Sequence, residues 1–480
     1  MANHAKAIIL LQKSNNERMS SNRRKFFRQL GSTAALLAAG QLHGLAAQNE
    51  THIIAAPERD HGPADTIRIA GIGMGIQGYH DVDAALRVPG VQLVACCDLY
   101  TGRLEHAKEM YGEQLFTTRR YEEILDRKDV DAVIIATNDS WHKTISIEAL
   151  KRGKAVYCEK PMVHKIEEGW DVIRAQQASG KVMQIGSQRV SSLGYAKAKE
   201  LYEAGEIGKI NSIEATYNRQ SALGAWEYTI PLDASPKTVD WERYEQQAKQ
   251  KHAYEDKRFF WWRNYREYGT GMAGDLYVHL LSGLHFITSS KGPSQIYSLG
   301  ALTYWKDGRN VPDVMSALME YPETKEHAAF QISLRVNFVS GEGEVERIRI
   351  VGTEGSMEVS ESKVTVKRRK MPKAPGIGGW DALGTYTKAM QQQLLDTYNT
   401  KYAKEDRMAQ TLPDITWAAP PGYDFHAAHL ANFIDSVRTG KPVVEDAVFG
   451  FRAAAPCLAC NESYFQNKVI RWDGVNMKLV

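Results

Sequence analysis

Cysteine is scarce in this chain, five residues in 480. A disulfide framework belongs to short chains dense in cysteine, so that class is excluded. Cys457-Leu458-Ala459-Cys460 has the spacing of half a zinc site, but no second CxxC exists to complete it. Its i,i+3 spacing in an alanine-rich stretch reads as helix packing, and no metal is expected. Charge of one sign is also lacking. The formal +3 arises in the first 47 residues, which hold seven Lys/Arg against one Glu; the remainder carries 53 basic and 56 acidic residues. No nucleic-acid partner is therefore expected. A long apolar run is missing as well. The best, residues 30–45, is broken by Gly31, Ser32, Gly40, Gln41 and His43, so no stable membrane span is expected. There is no internal repeat and no low-complexity tract. A composition of 24% charged and 43% hydrophobic residues describes a globular chain long enough for two or three domains.

The stretch from residue 66 to residue 98 organises the rest. The apolar run 67–72 reads as a buried parallel strand, and leads into Gly73-Met74-Gly75-Ile76-Gln77-Gly78 and a helical pattern over 79–87. A second apolar run, 91–97, ends in Asp98, twenty residues past Gly78. Each part has a task in a dinucleotide site. Gly73 allows the tight turn, Gly75 admits a pyrophosphate to the backbone, and Gly78 lets helix and strand pack closely. The helix start, with Ile76 and Gln77, offers N–H groups and a positive dipole end to the phosphates. Asp98 accepts from ribose hydroxyls and repels a 2′-phosphate, which favours NAD over NADP.

Five segments follow from a pass along the chain. Residues 1–47 read as an export signal: Arg23-Arg24-Lys25-Phe26-Phe27 resembles a twin-arginine motif, with small residues before a cut after Ala47 and Met19 as an alternative start. The partner is then the twin-arginine export machinery and the location periplasmic. Residues 48–65 are a polar linker. In 66–187, short apolar runs alternate with helices as in an α/β parallel sheet. Its strand ends deliver Thr137, Asn138 and His142, then Glu159 and Lys160, to the ligand crevice. Residues 188–425 carry β-like runs at 211–217, 294–304, 314–321, 330–338, 346–351 and 358–367. They predict a second domain with an open, largely antiparallel sheet, interrupted by insertions at 241–268 and 372–406. Residues 426–480 supply two helices and a strand that close on the preceding domains. An open sheet needs cover, so a homo-oligomer is expected.

Gly73-x-Gly75-x-x-Gly78, Asp98, Ala136-Thr137-Asn138, Glu159-Lys160-Pro161 and Asp275-x-x-x-His279 occur in the order found in the Gfo/Idh/MocA oxidoreductases, which the chain resembles from about residue 66 to residue 473. The resemblance implies a Rossmann domain, an open-sheet substrate domain and nicotinamide chemistry. It makes Lys160 the counterpart of the family's catalytic lysine, and Asp275 and His279 its acid and histidine. Asp139 and Ser282 depart from the family's commoner proline and second aspartate. The residues themselves support this chemistry. Alcohol oxidation needs a base and a cation beside the developing alkoxide. On a helix, Asp275 and His279 share a face. His279 titrates nearest working pH and is the better base; Asp275 either orients it or meets the substrate, and Lys160 polarises the oxygen. His285 nearby reads as a core histidine. Gln188, Arg189, Asn218, Arg263 and Tyr265 are the candidate substrate contacts, a polar and aromatic set suited to a polyhydroxylated ligand.

The leading expectation is a periplasmic oxidoreductase that moves a hydride between a sugar, glycoside or polyol and tightly bound NAD. Free nucleotide is not expected outside the cytoplasm, so the cofactor should not dissociate. One alternative is a glycoside hydrolase that oxidises its substrate transiently, an option for which Tyr277 is the candidate residue. Another is a non-catalytic NAD-bound sugar sensor, against which the intact Lys160, Asp275 and His279 set argues.

Overall fold

The computed structural model describes residues 66–480; the export-signal and linker expectations fall outside these residues. Six strands form the first sheet: β1 (Ile67–Ile72), β2 (Val91–Cys97), β3 (Phe116–Thr118), β4 (Ala132–Ile135), β5 (Ala155–Glu159) and β6 (Met183–Gly186). They run parallel in the order β3-β2-β1-β4-β5-β6. Every residue of β4, β5 and β6 is buried, as a sheet covered on both faces requires. The order reverses between β1 and β4, and the carboxyl ends on either side of that point bound a crevice.

Ten strands form the second sheet: β7 (Ile210–Asn218), β8 (Gln295–Ala301), β9 (Val314–Tyr321), β10 (Phe330–Asn337), β11 (Val345–Gly352), β12 (Gly355–Val359), β13 (Lys363–Lys370), β14 (Gln410–Ala418), β15 (Ile470–Asp473) and β16 (Lys478–Leu479). Their order is β14-β13-β12-β11-β7-β10-β9-β8-β15-β16, antiparallel except for the central β7–β10 pair. In β9, Met315, Ala317, Met319 and Tyr321 point inward while Ser316, Leu318 and Glu320 face out. That two-residue period leaves one face open and seats the other on helices. A continuous apolar cluster joins β4 and β5 of the first sheet to the inner residues of the second through the helices Leu193–Glu203, Val278–Thr288 and Ala447–Gln466.

Two local features differ from the sequence reading. The alternation at 358–367 is two strands, because Ser360 Oγ accepts from Lys363 N and closes a turn between β12 and β13. β14 was not foreseen; it contains Pro413, which an edge strand tolerates. The helix after β4 begins at Asp139, because Asn138 has extended backbone and ends the preceding segment. The carboxyl-terminal segment closes on both sheets. Its helix Phe425–Thr439 packs on the helix Ile76–Leu86, and β15 pairs with β8.

Candidate active site

The nucleotide half of the crevice is built from backbone. Gly73 holds φ +90°, and a Cβ there would lie 2.6 Å from the Ala136 carbonyl. A Cβ on Gly78 would overlap the Gly73 carbonyl oxygen, so helix and strand meet only through glycine. Gly75 differs: the nearest atom to a Cβ there is the Arg103 guanidinium carbon at 3.8 Å. Its face is open toward a cation, as a diphosphate site requires. Asp98 is buried and accepts from Met74 N and Tyr100 N, both at 2.8 Å, with Arg103 Nη1 at 3.4 Å. A carboxylate has about four lone-pair sites, so ribose hydroxyls still find acceptors. Ile76, Gln77, Thr137 and Asn138 line the same space, which encloses about 1100 Å³ including its mouth. That volume admits a dinucleotide. His142 does not join them. It is buried, with Nδ1 2.8 Å from the Pro161 carbonyl oxygen and Nε2 3.3 Å from that of Thr137, so it braces two strand ends.

The reaction half is built from charge. Lys160, at the end of β5, donates through Nζ to Asp275 Oδ1 at 2.8 Å and to the Asp275 carbonyl at 3.0 Å. Arg263 Nε donates to the same Oδ1 at 3.1 Å. Burial opposes ionisation of Asp275, but Lys160 and then Arg263 outweigh it and hold this carboxyl well below its usual range. Two cations thus share one carboxylate. Asp275 lies in a π-helical turn, Ala273–Tyr277, that runs into the helix Val278–Thr288. The wider turn changes the expected geometry. Asp275 is spent on Lys160 and Arg263 and makes no hydrogen bond to His279, so it does not orient that ring. His279 is half-buried with Nδ1 enclosed and unpartnered. Burial first, then Lys160 and Arg189, press its pKa well below the usual value, so the ring is neutral but a weaker base than the free imidazole on which the sequence reading relied.

Beside Lys160, Glu159 meets a second buried carboxyl, Asp81. Gln77 Nε2 donates to both, at 3.4 and 2.9 Å, and His426 Nε2 lies 2.7 Å from Asp81 Oδ1. Burial pushes both carboxyls up, to about 8. Glu159 also accepts from Gln188, which is held by the Tyr157 hydroxyl as well. These two are therefore internal braces rather than surfaces of the crevice. Arg189 is spent on Glu346 and Glu361 and lies over the Tyr217 ring. Asn218 is one residue out of phase with Tyr217 and Arg219, so the pleat turns it to the other face of β7. Tyr265 packs in an aromatic cluster of its own. Of the five candidate substrate contacts, Arg263 alone lines the crevice. Sequence reasoning missed Arg103, Arg119, Tyr228 and Arg243, which also line it; the sole signal was Arg103, five residues past Asp98. Tyr277 is buried with its hydroxyl on the Met315 carbonyl, away from the reaction half. Asp139 accepts from Thr270 N and Oγ1, Ser282 is buried, and His285 pairs with the Tyr321 hydroxyl. Among the described residues no His/Cys/Asp/Glu group could hold a metal.

Comparison with known proteins adds to this geometry. Residues 67–187 match the model of the oxidoreductase family with an NAD-binding Rossmann fold, and residues 243–358 match the GFO/IDH/MocA C-terminal domain. An inositol 2-dehydrogenase of Salmonella typhimurium is 35% identical over 164 residues, which is 34% of this chain and 48% of that protein. A glycosyl hydrolase family 109 protein of Shewanella baltica is 27% identical over 192 residues, 38% of this chain and 40% of that protein. The chain thus spans about half the length, or less, of these relatives. The crystal structure of an aldose-aldose oxidoreductase from Caulobacter crescentus superposes with a TM-score of 0.58 at 16% identity, covering 85% of this chain and 99% of that one. At that identity the likeness shows the fold alone: a Rossmann-type parallel sheet followed by a mostly antiparallel sheet domain.

Proposed function

We propose that this chain is a nicotinamide-dependent oxidoreductase that moves a hydride between a sugar or polyol hydroxyl and NAD. The observation that carries this reading is the Lys160–Asp275–Arg263 cluster at the carboxyl end of β5, beside a crevice that meets the requirements of a dinucleotide. Gly75 and Arg103 would hold the diphosphate, and Asp98 the ribose. The bound nicotinamide supplies the hydride acceptor. The chain supplies the rest. Lys160 has two donors committed to Asp275, which leaves the third for a substrate oxygen. Two cations against one carboxylate leave a net positive charge, in a place where an alkoxide develops only in the transition state. Neutral His279 takes the hydroxyl proton.

Export by the twin-arginine route, residence in the periplasm and assembly into an oligomer belong to this proposal. The first two rest on the Arg23-Arg24 motif, the last on the open face of the second sheet. The glycoside-hydrolase reading keeps the relative from Shewanella baltica in its favour, but the residue it depended on, Tyr277, is buried away from the cluster. The test is to identify by mass the nucleotide that co-purifies, then follow nicotinamide absorbance across a sugar and polyol panel. Reduction by at least one member is expected. No nucleotide binding, or release of a chromogenic aglycone without net reduction, would overturn the dehydrogenase reading.

A further inference from the structure

The segment 219–270, between β7 and the π-helical turn, makes its own small core, in which Val239, Tyr244, Phe259, Tyr265 and Tyr268 pack around Tyr100 of the first domain. It is tied down on both sides of the crevice. On the β2 side, Thr101 N donates to the Thr238 carbonyl and Asp240 N to the Leu99 carbonyl, both at 2.9 Å, while the Tyr100 hydroxyl donates to Asp233 and Arg243 to Glu122. On the β4 side, Ser140 N donates to the Tyr268 carbonyl at 3.2 Å and Trp141 Nε1 to that of Tyr244 at 3.4 Å. Between these anchors, Arg243, Tyr244, Phe259 and Trp262 line the crevice together with Asp98, Arg103 and Arg119. In a doubly wound sheet the ends of β2 and β3 receive the adenosine half of a dinucleotide.

We infer that residues 219–270 form a roof pinned over the adenosine half of the nucleotide site, so that the cofactor stays bound from one turnover to the next. This rests on the nucleotide-binding part of the proposed function and not on the choice of carbohydrate. The roof leaves the Lys160 end as the route for small substrates. A retained cofactor constrains the chemistry: the hydride taken from one hydroxyl must be handed, in the same crevice, to a second carbonyl compound or back to the oxidised first one. The electrons then balance with no free nucleotide consumed.

The experiment loads the full chain with isotope-labelled NAD, adds excess unlabelled NAD, and reads the retained label by mass. The intact protein should hold its label through hours of dilution. The double variant Tyr100→Phe/Glu122→Gln removes one anchor and weakens another without altering a crevice-lining residue. It should release NAD about 10- to 100-fold faster, the size expected for hydrogen bonds to charged groups. Exchange within seconds in the intact protein, or unchanged release from the folded double variant, would overturn the roof. If the variant does not fold, hydrogen exchange at the Thr101 and Asp240 amides of the loaded intact protein decides. These amides should open no faster than NAD leaves, and opening far faster than release would overturn the inference. None of these readouts needs turnover, so failure of the sugar panel leaves them standing.

Discussion

The two halves of the crevice are made in different ways. The nucleotide half is a matter of space: glycines at 73 and 78 fit where no Cβ does, and Gly75 faces an opening. The reaction half is a matter of charge: Lys160 lies 115 residues before Asp275 in the chain, Arg263 only 12, and the three hold one another in place. A local motif can specify the first. The second exists only once the chain has folded, which makes the two halves fail differently when altered.

Lys160→Met should give the largest loss. It removes the cation but keeps most of the stem, so turnover should fall by about 10²- to 10⁴-fold while co-purified nucleotide persists. Steady-state rates beside nucleotide mass check both parts. His279→Ala should lose turnover by the same order if it carries the proton. Asp275→Asn tests charge as structure. It leaves two largely buried cations without their carboxylate, and breaking a buried pair costs about 3 kcal/mol, read as a lowered denaturation midpoint. A variant of unchanged stability would show the cluster to be solvated.

Gly75→Ala and Gly78→Ala sharpen the comparison within the nucleotide half. The first meets no atom nearer than 3.8 Å, so the thermal midpoint should hold while NAD binding weakens. The second collides with the Gly73 carbonyl and should yield little folded protein. Asp98→Ser should shift preference toward NADP by a smaller factor, since Arg103 already faces that carboxylate; nucleotide titrations measure it.

The smallest effect concerns pH. Asp81 and Glu159 are raised by burial to about 8, so the folded chain keeps protons that the unfolded chain gives up above the ordinary carboxylate range near 4. Unfolding then releases protons between those limits, and stability falls as pH rises from about 4 to about 8. Asp81→Asn should flatten that slope in thermal melts recorded across the window. A slope identical to that of the unaltered protein would mean that the pair is ionised when folded.

The Rossmann strands, the glycine motif and Lys160 were legible because each leaves a local trace: an apolar run, a spacing, a triplet. The i,i+4 geometry of Asp275 and His279 was misjudged because a π-helical turn has the same composition as an α-helical one. Gln188 was taken for a ligand contact because a sequence does not show which polar tip already has a partner, and Tyr265 because it does not show which ring is spent on a core. Arg119 and Arg243 were invisible for a like reason, since tertiary folding alone brings them beside Asp98.

The five cysteines lie inside, Cys96, Cys97 and Cys158 in the parallel sheet and Cys457 and Cys460 in the helix Ala447–Gln466. No sulfur offers a nucleophile to solvent while the chain is folded. Such a molecule can cross from a reducing to an oxidising compartment without acquiring a bond on the way. The same arrangement is a built-in clock: a thiol reagent reacts only as each region opens, so two labelling rates would report two breathing motions separately.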